Sequence, residues 1–335
     1  MTMGSFFVFA ASCVTFNGVN RRGSHLRKEA IDLSMQLVLT QILVILLYVA
    51  VGFMAGKTRL ILPEHRKFLS GLCSNLILPF TILSASAQAV SGEKMKGLLV
   101  SLGFFFAVYA CVTVLSLIAT RGKTPGRRAA VTGLLTYSNC TFLGLPLCQA
   151  LFGDMAVLYN VSALIAFNVL FFTVQYSLFT GGKMNLKNLL TPTTLSTAAL
   201  VVMLVLKLRF PDPVQTVCVG VGSMISPLSL IIIGVMLSES AFTVVLREKQ
   251  AYLLSVLRNL AIPLAGMLLL RLLPLDSSTR LCVLVYLACP CATLTSIYAI
   301  KFDMEPEFCA HTVLLSTILF AATLPMIISL GQLIL

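Results

Sequence analysis

The chain has 335 residues, 58% of them hydrophobic and only 11% charged, with a formal net charge of +12. Because a helix needs about 20 apolar residues to span the bilayer core, this composition suffices for roughly ten spans with short connections. It excludes a soluble enzyme, a nucleic-acid-binding protein and a receptor with a folded ligand domain, since no polar stretch is long enough for such a domain. We therefore expect an all-α integral membrane protein, embedded in the lipid bilayer.

The N-terminal residues 1–34 differ from the rest of the chain. An apolar run at residues 5–16 is too short to span a bilayer and is followed by basic residues such as Arg21 and Arg22. A signal peptide has the opposite order, with its basic residues before the apolar run. We expect a poorly ordered extension, with an anchor that lies on the membrane surface as the alternative.

From Met35 onward, long apolar runs predict ten transmembrane helices. They lie at residues 36–55, 68–89, 97–119, 128–151, 155–180, 189–208, 214–238, 250–273, 281–300 and 308–333. We expect two halves of five helices each, residues 35–182 and 183–335, which join near Gly181 and Gly182.

Basic residues concentrate in the connections between these spans. With residues 1–34 left out, 13 of them fall on one side of the membrane and six on the other. The 13 are Lys57, Arg59, Arg66, Lys67, Arg121, Lys123, Arg127, Arg128, Lys183, Lys187, Arg247, Lys249 and Lys301; the six are Lys94, Lys96, Lys207, Arg209, Arg271 and Arg280. The positive-inside rule places the richer side in the cytoplasm, although four further basic residues in the extension narrow the difference. We expect a multi-pass protein of the plasma membrane, the inner membrane in bacteria, with both termini on the non-cytoplasmic side.

The two halves carry weak internal repeats. Pro79 in the second span and Pro227 in the seventh are 148 residues apart, while residues 169–171 (VLF) and 318–320 (ILF) in the fifth and tenth spans are 149 apart. Because five is an odd number, two halves with the same fold would enter the membrane from opposite sides. Such inverted repeats are typical of secondary transporters.

We expect the fourth and ninth spans to be interrupted near the middle of the membrane. The fourth carries Ser, Asn, Thr, Gly and Pro within residues 136–146, and the ninth carries Pro290 among small polar residues at 288–296. Proline and glycine interrupt helices, and interruptions at matching positions of two halves indicate a midplane substrate site. A proline kink satisfied by neighbouring side chains is the alternative, and we expect such kinks at Pro79 and Pro227.

Several of these segments resemble those of one family. They are NCTFLGLPL at 139–147 and ALFG at 150–153 in the fourth span, residues 75–79 in the second, 227–237 in the seventh, and 315–317 with 323–325 in the tenth. They resemble the auxin efflux carrier family of transporters, whose bacterial members include malonate and malate carriers. The resemblance covers residues 35–335. It implies two inverted five-helix repeats, with broken fourth and ninth helices that cross at the substrate site, and a moving transport domain beside a scaffold.

The chain departs from this family at the expected crossing. Plant members carry Asn-Pro-Asn where this chain has Ser138, Asn139 and Cys140, and Thr293 to Thr295 replace the Asn that often follows the proline of the ninth span. Auxin itself is therefore not indicated, and the substrate stays open.

The candidate site residues follow from what a carboxylate needs. Backbone N–H groups and the positive end of a broken helix bind anions, and side chains at the two interruptions add hydrogen-bond donors. The predicted substrate-binding residues are Asn139, Thr141, Gly144, Pro146, Pro290, Thr293, Thr295 and Ser296, and further candidates are Ser138, Asn75, Arg258 and His311.

Two of these candidates have a simpler interpretation. Arg258 and its neighbour Asn259 lie near the start of the eighth span, which favours an arginine that snorkels to the cytoplasmic surface over one that contacts an anion. His311 could titrate near neutral pH and couple protons, but a single histidine near a helix end is more often neutral and hydrogen-bonded.

Other functions need features that the sequence lacks. An intramembrane enzyme requires a nucleophile with a base or a set of metal ligands, yet only His311 of the three histidines lies in a predicted span. A channel requires a continuous polar lining. Cys289 and Cys291 could bind a soft metal in a transition-metal pump, but no connection has room for the domains of such a pump. The cysteines are interpreted as small apolar fillers.

The sequence therefore predicts a secondary transporter for a small organic anion, a mono- or dicarboxylate, that works by alternating access. We expect no cofactor, no catalytic activity and no nucleic-acid partner. A channel and an intramembrane enzyme are the alternatives. Coupling to H⁺ or Na⁺ and assembly as a homodimer are options that the sequence leaves open.

Overall fold

The computed structural model describes residues 40, 43–44, 46–87, 92–153, 155–182, 190–239 and 248–335. Over these ranges the chain folds into helices and contains no strand, which confirms the all-α class. The expected extension at residues 1–34 lies outside the described residues, as does most of the join between the two halves.

An apolar helix overlaps each of the ten predicted spans. In chain order the helices are α1 (Leu46–Lys57), α2 (Pro63–Leu72, a π-helical turn at Cys73–Ile77, and Leu78–Ser84), α3 (Gly92–Ala119), α4a (Pro125–Thr136), α4b (Cys140–Phe152), α5 (Met155–Thr180), α6 (Pro192–Leu206), α7 (Asp212–Gly222 and Ile225–Glu239), α8 (Lys249–Arg271), α9a (Ser277–Ala288), α9b (Thr293–Lys301) and α10 (Pro306–Ile334). Five of them, α3, α5, α7, α8 and α10, are long and apolar enough to cross a membrane. The others are shorter, so ten crossings stay a prediction.

Local signals in the sequence explain where helices begin. Thr124 precedes α4a, which begins with a proline, and its side-chain oxygen accepts from the backbone N–H of Arg127 at 3.3 Å. Asp276 caps α9a in the same way, accepting from the N–H of Thr279 at 2.9 Å. These caps satisfy amide groups that have no partner within the helix.

Three prolines inside the apolar segments follow a widened helical turn rather than a break in the helix. Pro79, Pro146 and Pro263 each follow a π-helical turn, at Cys73–Ile77, Cys140–Gly144 and Leu257–Ala261. A proline has no N–H to donate to the preceding turn, and the wider turn accommodates its ring. The helix therefore continues through Pro79, whereas a short turn at 223–224 divides α7 just before Pro227.

The described helices pack in two groups. In the first, α2 contacts α6 and α7, and α1 packs closely on α7, since a Cβ atom at Gly52 or Gly234 would lie 2.0 Å from a carbonyl oxygen of the facing helix. In the second, α3 contacts α4a and α5, while α10 contacts α8 and α9. The two groups meet where α7 contacts α4b and where α5 contacts α2 and α6.

Polar contacts collect at the two ends of the long helix α10. Near its start, Arg127 forms a 2.9 Å ion pair with Glu305 and also donates to Gln250. Near its end, the carbonyl of Leu335 accepts from Ser277 at 3.0 Å and from Arg280 at 3.1 Å. Arg127 thus links three of the five connections that the charge count assigned to one side. The connection between α8 and α9a, assigned to the other side, lies at the opposite end of α10.

Candidate functional site

The interruptions in α4 and α9 pair with each other. The backbone N–H of Asn139 donates to the carbonyl of Pro290 at 2.8 Å, and the N–H of Ala292 donates to the carbonyl of Tyr137 at 2.9 Å. These bonds form a short antiparallel bridge centred on Ser138 and Cys291. Backbone that leaves a helix inside a membrane must find other partners, and here each interruption supplies them to the other. We call residues 137–139 and 289–292 together the crossing.

Both interruptions lie within the segments that the sequence predicts, but in α4 the residues that form the interruption are not Gly144 and Pro146. Pro290 lies at the crossing itself. Gly144 and Pro146, which were expected to interrupt the fourth span, instead lie inside α4b after the interruption. The reason is that the π-helical turn absorbs the missing donor of Pro146, while the interruption forms at the residues that pair with α9.

Gly144 has a packing role in this arrangement. A Cβ atom at this position would lie 2.7 Å from the sulfur of Cys289 and 3.1 Å from a ring carbon of Tyr286. Only a residue without a side chain allows α4b to approach the end of α9a so closely. Gly144 and Pro146 are both buried, so they shape the crossing rather than present donors to it.

Four of the predicted polar residues, one in the crossing and three in the first turn of α9b directly after it, have unused hydrogen-bonding groups. Asn139 is only 5% exposed, yet its side-chain amide makes no hydrogen bond to any described residue. The side-chain oxygen of Thr295 is buried and unpaired, and within the described ranges the hydroxyls of Thr293 and Ser296 are not hydrogen-bonded either. Thr141 is partly buried, and its hydroxyl lies 3.9 Å from the sulfur of Cys140.

Two helices begin at the crossing and two end there. The first amide groups of α4b and α9b have no acceptor within their own helix and carry the positive end of its dipole. The last carbonyl groups of α4a and α9a carry the negative end. The crossing therefore presents amide donors from two helices. The carbonyl groups at the ends of α4a and α9a need hydrogen-bond donors from another residue.

Arg258 donates hydrogen bonds to these carbonyl ends. Its predicted position at the membrane surface is wrong. The side chain is 0% exposed. Its Nη2 atom donates to the carbonyl of Leu287, near the end of α9a, at 2.8 Å, and Nη1 donates to the carbonyl of Leu135, near the end of α4a, at 3.4 Å. The physical reason is that one face of α8 packs against the interior of the second group, and Arg258 lies on that covered face.

Asn259 is also buried, contrary to its expected place near the surface. It is 0% exposed, and its side-chain amide donates to the carbonyl of Ser316 in α10 at 2.6 Å. The hydroxyl of Ser316 in turn accepts from the backbone N–H of Cys291 at 3.1 Å. Two adjacent residues of α8 thus support the crossing, one directly and one through α10.

Two further supporting residues were not among the predicted site residues. Tyr109 of α3 shares a 2.9 Å hydrogen bond with the hydroxyl of Ser138, and Asn160 of α5 donates to the carbonyl of Cys140 at 3.0 Å. Both are polar side chains within apolar spans. Such side chains usually hydrogen-bond to a neighbouring helix, so this pattern could have identified them.

Asn75 and His311 do not join the crossing. Asn75 is exposed on α2, which belongs to the other group of helices. His311 lines a cavity of about 400 Å³ near the start of α10, together with Arg127, Glu248 and Glu305. The structure therefore separates both candidates from the residues that could bind an anion at the crossing.

Comparison with known proteins identifies the kind of molecule. A family model described as membrane transport protein matches residues 37–187 and 176–328, which together make up most of the chain. A search of curated proteins finds no match. The family match confirms the resemblance drawn from the fourth span, without indicating a subgroup that transports malonate or malate.

Proposed function

The chain belongs to the membrane transport protein family, which is that of the auxin efflux carriers, and we propose that it carries a small organic anion by alternating access. It is a multi-pass membrane transporter. The proposed substrate is a mono- or dicarboxylate bound at the crossing. The observation that carries this proposal is the buried amide of Asn139, which lacks a protein partner between the starts of two helices.

The donors at the crossing support an anionic substrate. A buried polar group without a hydrogen bond is costly, and the hydroxyl of Thr295 is such a group. The nearly buried Asn139 and Ser296 and the half-buried Thr293 also have side chains without a hydrogen bond within the described part of the chain. A carboxylate accepts hydrogen bonds only, so it would satisfy the donors of these side chains together with the free amide groups of α4b and α9b.

The packing of the helices supports a carrier. Alternating access requires two bodies that move against each other around a fixed site. The groups that contain α2 and α3 could serve as such bodies, and the interface of α7 with α4b lies beside the crossing. The polar residues are also local to the interruptions, whereas a channel would need a continuous polar lining.

The membrane arrangement is part of the same proposal. We place the protein in the plasma membrane with ten spans arranged as two inverted repeats and both termini outside the cytoplasm. The pairing of the two interruptions supports this arrangement, because it relates α4 to α9, which are the fourth helices of the two halves. A homodimer and coupling to H⁺ or Na⁺ stay open as further properties.

Transport into proteoliposomes tests the proposed function. The purified chain is reconstituted, and uptake of labelled acetate, malonate, succinate and malate is measured with imposed H⁺ gradients, Na⁺ gradients and membrane potentials. We expect saturable uptake of at least one carboxylate and exchange with unlabelled substrate on the other side. Empty liposomes and the Asn139→Ala variant are the controls. Uptake that does not saturate would indicate a channel, and chemical conversion of the substrate would indicate an enzyme.

A further inference from the structure

We infer that Arg258 joins the two interrupted helices and gives the crossing its preference for anions. This inference rests on the proposed function for the identity of the ligand but not for the joining role. Arg258, a residue of α8, would thus both hold the two helices at the crossing and make the crossing favour negatively charged ligands.

The joining role follows from the two acceptors. Leu135 lies in the last turn of α4a and Leu287 in the last turn of α9a, and a single guanidinium donates to both carbonyls, at 3.4 and 2.8 Å. Carbonyl groups at the end of a helix have no partner within it and carry partial negative charge. Arg258 thus satisfies one from each helix just before the chain enters the crossing.

The charge role follows from what surrounds the guanidinium. Arg258 is 0% exposed, and in the described ranges it forms no salt bridge with a carboxylate. Its Nε atom is buried without a hydrogen-bond partner. A buried charge without a counter-charge is costly and marks a functional group in a membrane protein. Carbonyl dipoles compensate only part of a full positive charge, so the remainder favours an anion nearby.

The geometry distinguishes arginine from lysine. The planar guanidinium holds several donors in a fixed fork and can reach two acceptors on different helices, while a lysine ammonium is a compact point charge on a flexible stem. Arg258→Lys should therefore keep the charge and lose part of the joining role. Arg258→Gln should lose the charge and most of the joining role.

Arg280 provides a matched control, because it lies on α9a, the helix that carries the acceptor carbonyl of Leu287. It lies in the first turn of α9a and also donates to two backbone carbonyls, of Leu335 at 3.1 Å and Leu273 at 2.9 Å. Its Nε atom is likewise buried and unpaired. Arg280→Gln removes comparable hydrogen bonds at the far end of α9a, although this side chain is less buried.

The first measurement compares charged and uncharged probes. Binding of acetate, malonate and succinate, and of their amides acetamide, malonamide and succinamide, is measured on the purified full chain and on variants that elute as a single species. We expect Arg258→Gln to reduce the preference for acid over amide on the order of tenfold, as for one charge roughly 10 Å away at an effective dielectric near 20. Arg258→Lys and Arg280→Gln should retain most of the preference. An unchanged preference in Arg258→Gln, or its loss in a folded Arg258→Lys, would overturn the charge role.

The second measurement tests the joining role without any substrate. Labelling of cysteines by N-ethylmaleimide is followed by peptide mass spectrometry, with the buried Cys73 of α2 and the exposed Cys111 as internal references. We expect Arg258→Gln to raise labelling of Cys289 and Cys291, both 0% exposed in the parent, and Arg280→Gln to leave it unchanged. If both cysteines stay as protected as in the parent, the joining role is wrong. If the parent binds no carboxylate, the proposed function fails. The labelling measurement still decides whether Arg258 joins the two interrupted helices.

Discussion

Asn139 donates its backbone N–H to the carbonyl of Pro290 at 2.8 Å, while its side-chain amide stays unpaired in the part of the chain that the structure describes. The same residue therefore holds the crossing through its backbone and leaves its side chain for a ligand. A second asparagine near the crossing, Asn160, differs in that its side-chain N–H donates to the carbonyl of Cys140 at 3.0 Å, although its side-chain oxygen has no partner in the described part of the chain.

The first prediction compares these two asparagines. Asn139→Ala removes donors that no described residue uses, so substrate affinity should fall by about 5- to 150-fold, which corresponds to the loss of about 1 to 3 kcal/mol of hydrogen bonding. Thermal stability should change little, because the backbone bond to Pro290 remains. Binding and unfolding are measured on the same preparations.

Asn160→Ala is the control for that prediction. It leaves the carbonyl of Cys140 without its partner and should lower stability in step with transport. Parental binding and transport by a well-folded Asn139→Ala would contradict the placement of the site at the crossing.

The second prediction concerns Asn259, whose burial the sequence did not indicate. Its amide donates to the carbonyl of Ser316 at 2.6 Å, so Asn259→Ala should destabilise the fold by about 1 to 3 kcal/mol. The exposed Asn75 provides the comparison, and Asn75→Ala should be nearly neutral. Thermal unfolding of both variants in one detergent distinguishes these results, and equal stability would contradict the described contact.

The third prediction concerns the close approach of α4b to α9a. A Cβ atom at Gly144 would lie 2.7 Å from the sulfur of Cys289, so Gly144→Ala should destabilise by about 1 to 3 kcal/mol through overpacking. Cys289→Ala removes that sulfur and should partly restore stability in the double variant, which a double-mutant cycle measures. Gly103→Ala on α3, where a Cβ would meet nothing within 4 Å, should not destabilise. Additive effects of the two changes would argue against direct contact.

Some features of the crossing could be predicted from the sequence, and others could not. Pro290 among small polar residues marked the interruption of α9 correctly, because the proline lies at the break itself. In α4, Gly144 and Pro146 marked the correct span, but both lie after the break. The pairing of Ser138 with Cys291 decides where the backbone leaves the helix.

The burial of Arg258 shows a second limit of sequence interpretation. An apolar helix has similar residues on its lipid and protein faces, so the sequence of α8 does not show which face is covered. The position of Arg258 depends on carbonyls of Leu135 and Leu287 that lie far away in the chain. Each of the ten predicted apolar segments overlaps a described apolar helix, because a run of apolar residues is a local signal.

The fourth prediction concerns His311, which lies apart from the crossing. It lines the cavity that also contains Arg127, Glu248 and Glu305. Since none of these residues contributes to the crossing, His311→Gln should leave carboxylate binding unchanged. Loss of binding in a folded His311→Gln variant would show that this cavity, rather than the crossing, contributes to the site.

The last prediction concerns orientation in the membrane. The bias of 13 basic residues to six places the end of the molecule that contains Lys123 and Arg127 in the cytoplasm. Lys123 is exposed in the connection between α3 and α4a, and Pro274 is exposed in the connection between α8 and α9a at the opposite end. A thiol reagent that cannot cross membranes should therefore modify Pro274→Cys on intact cells, and should modify Lys123→Cys only after permeabilisation. The parent chain, treated in parallel, shows any labelling of native cysteines such as the exposed Cys111. The reverse pattern would mean that the charge bias does not set the orientation of this protein, and both termini would then face the cytoplasm.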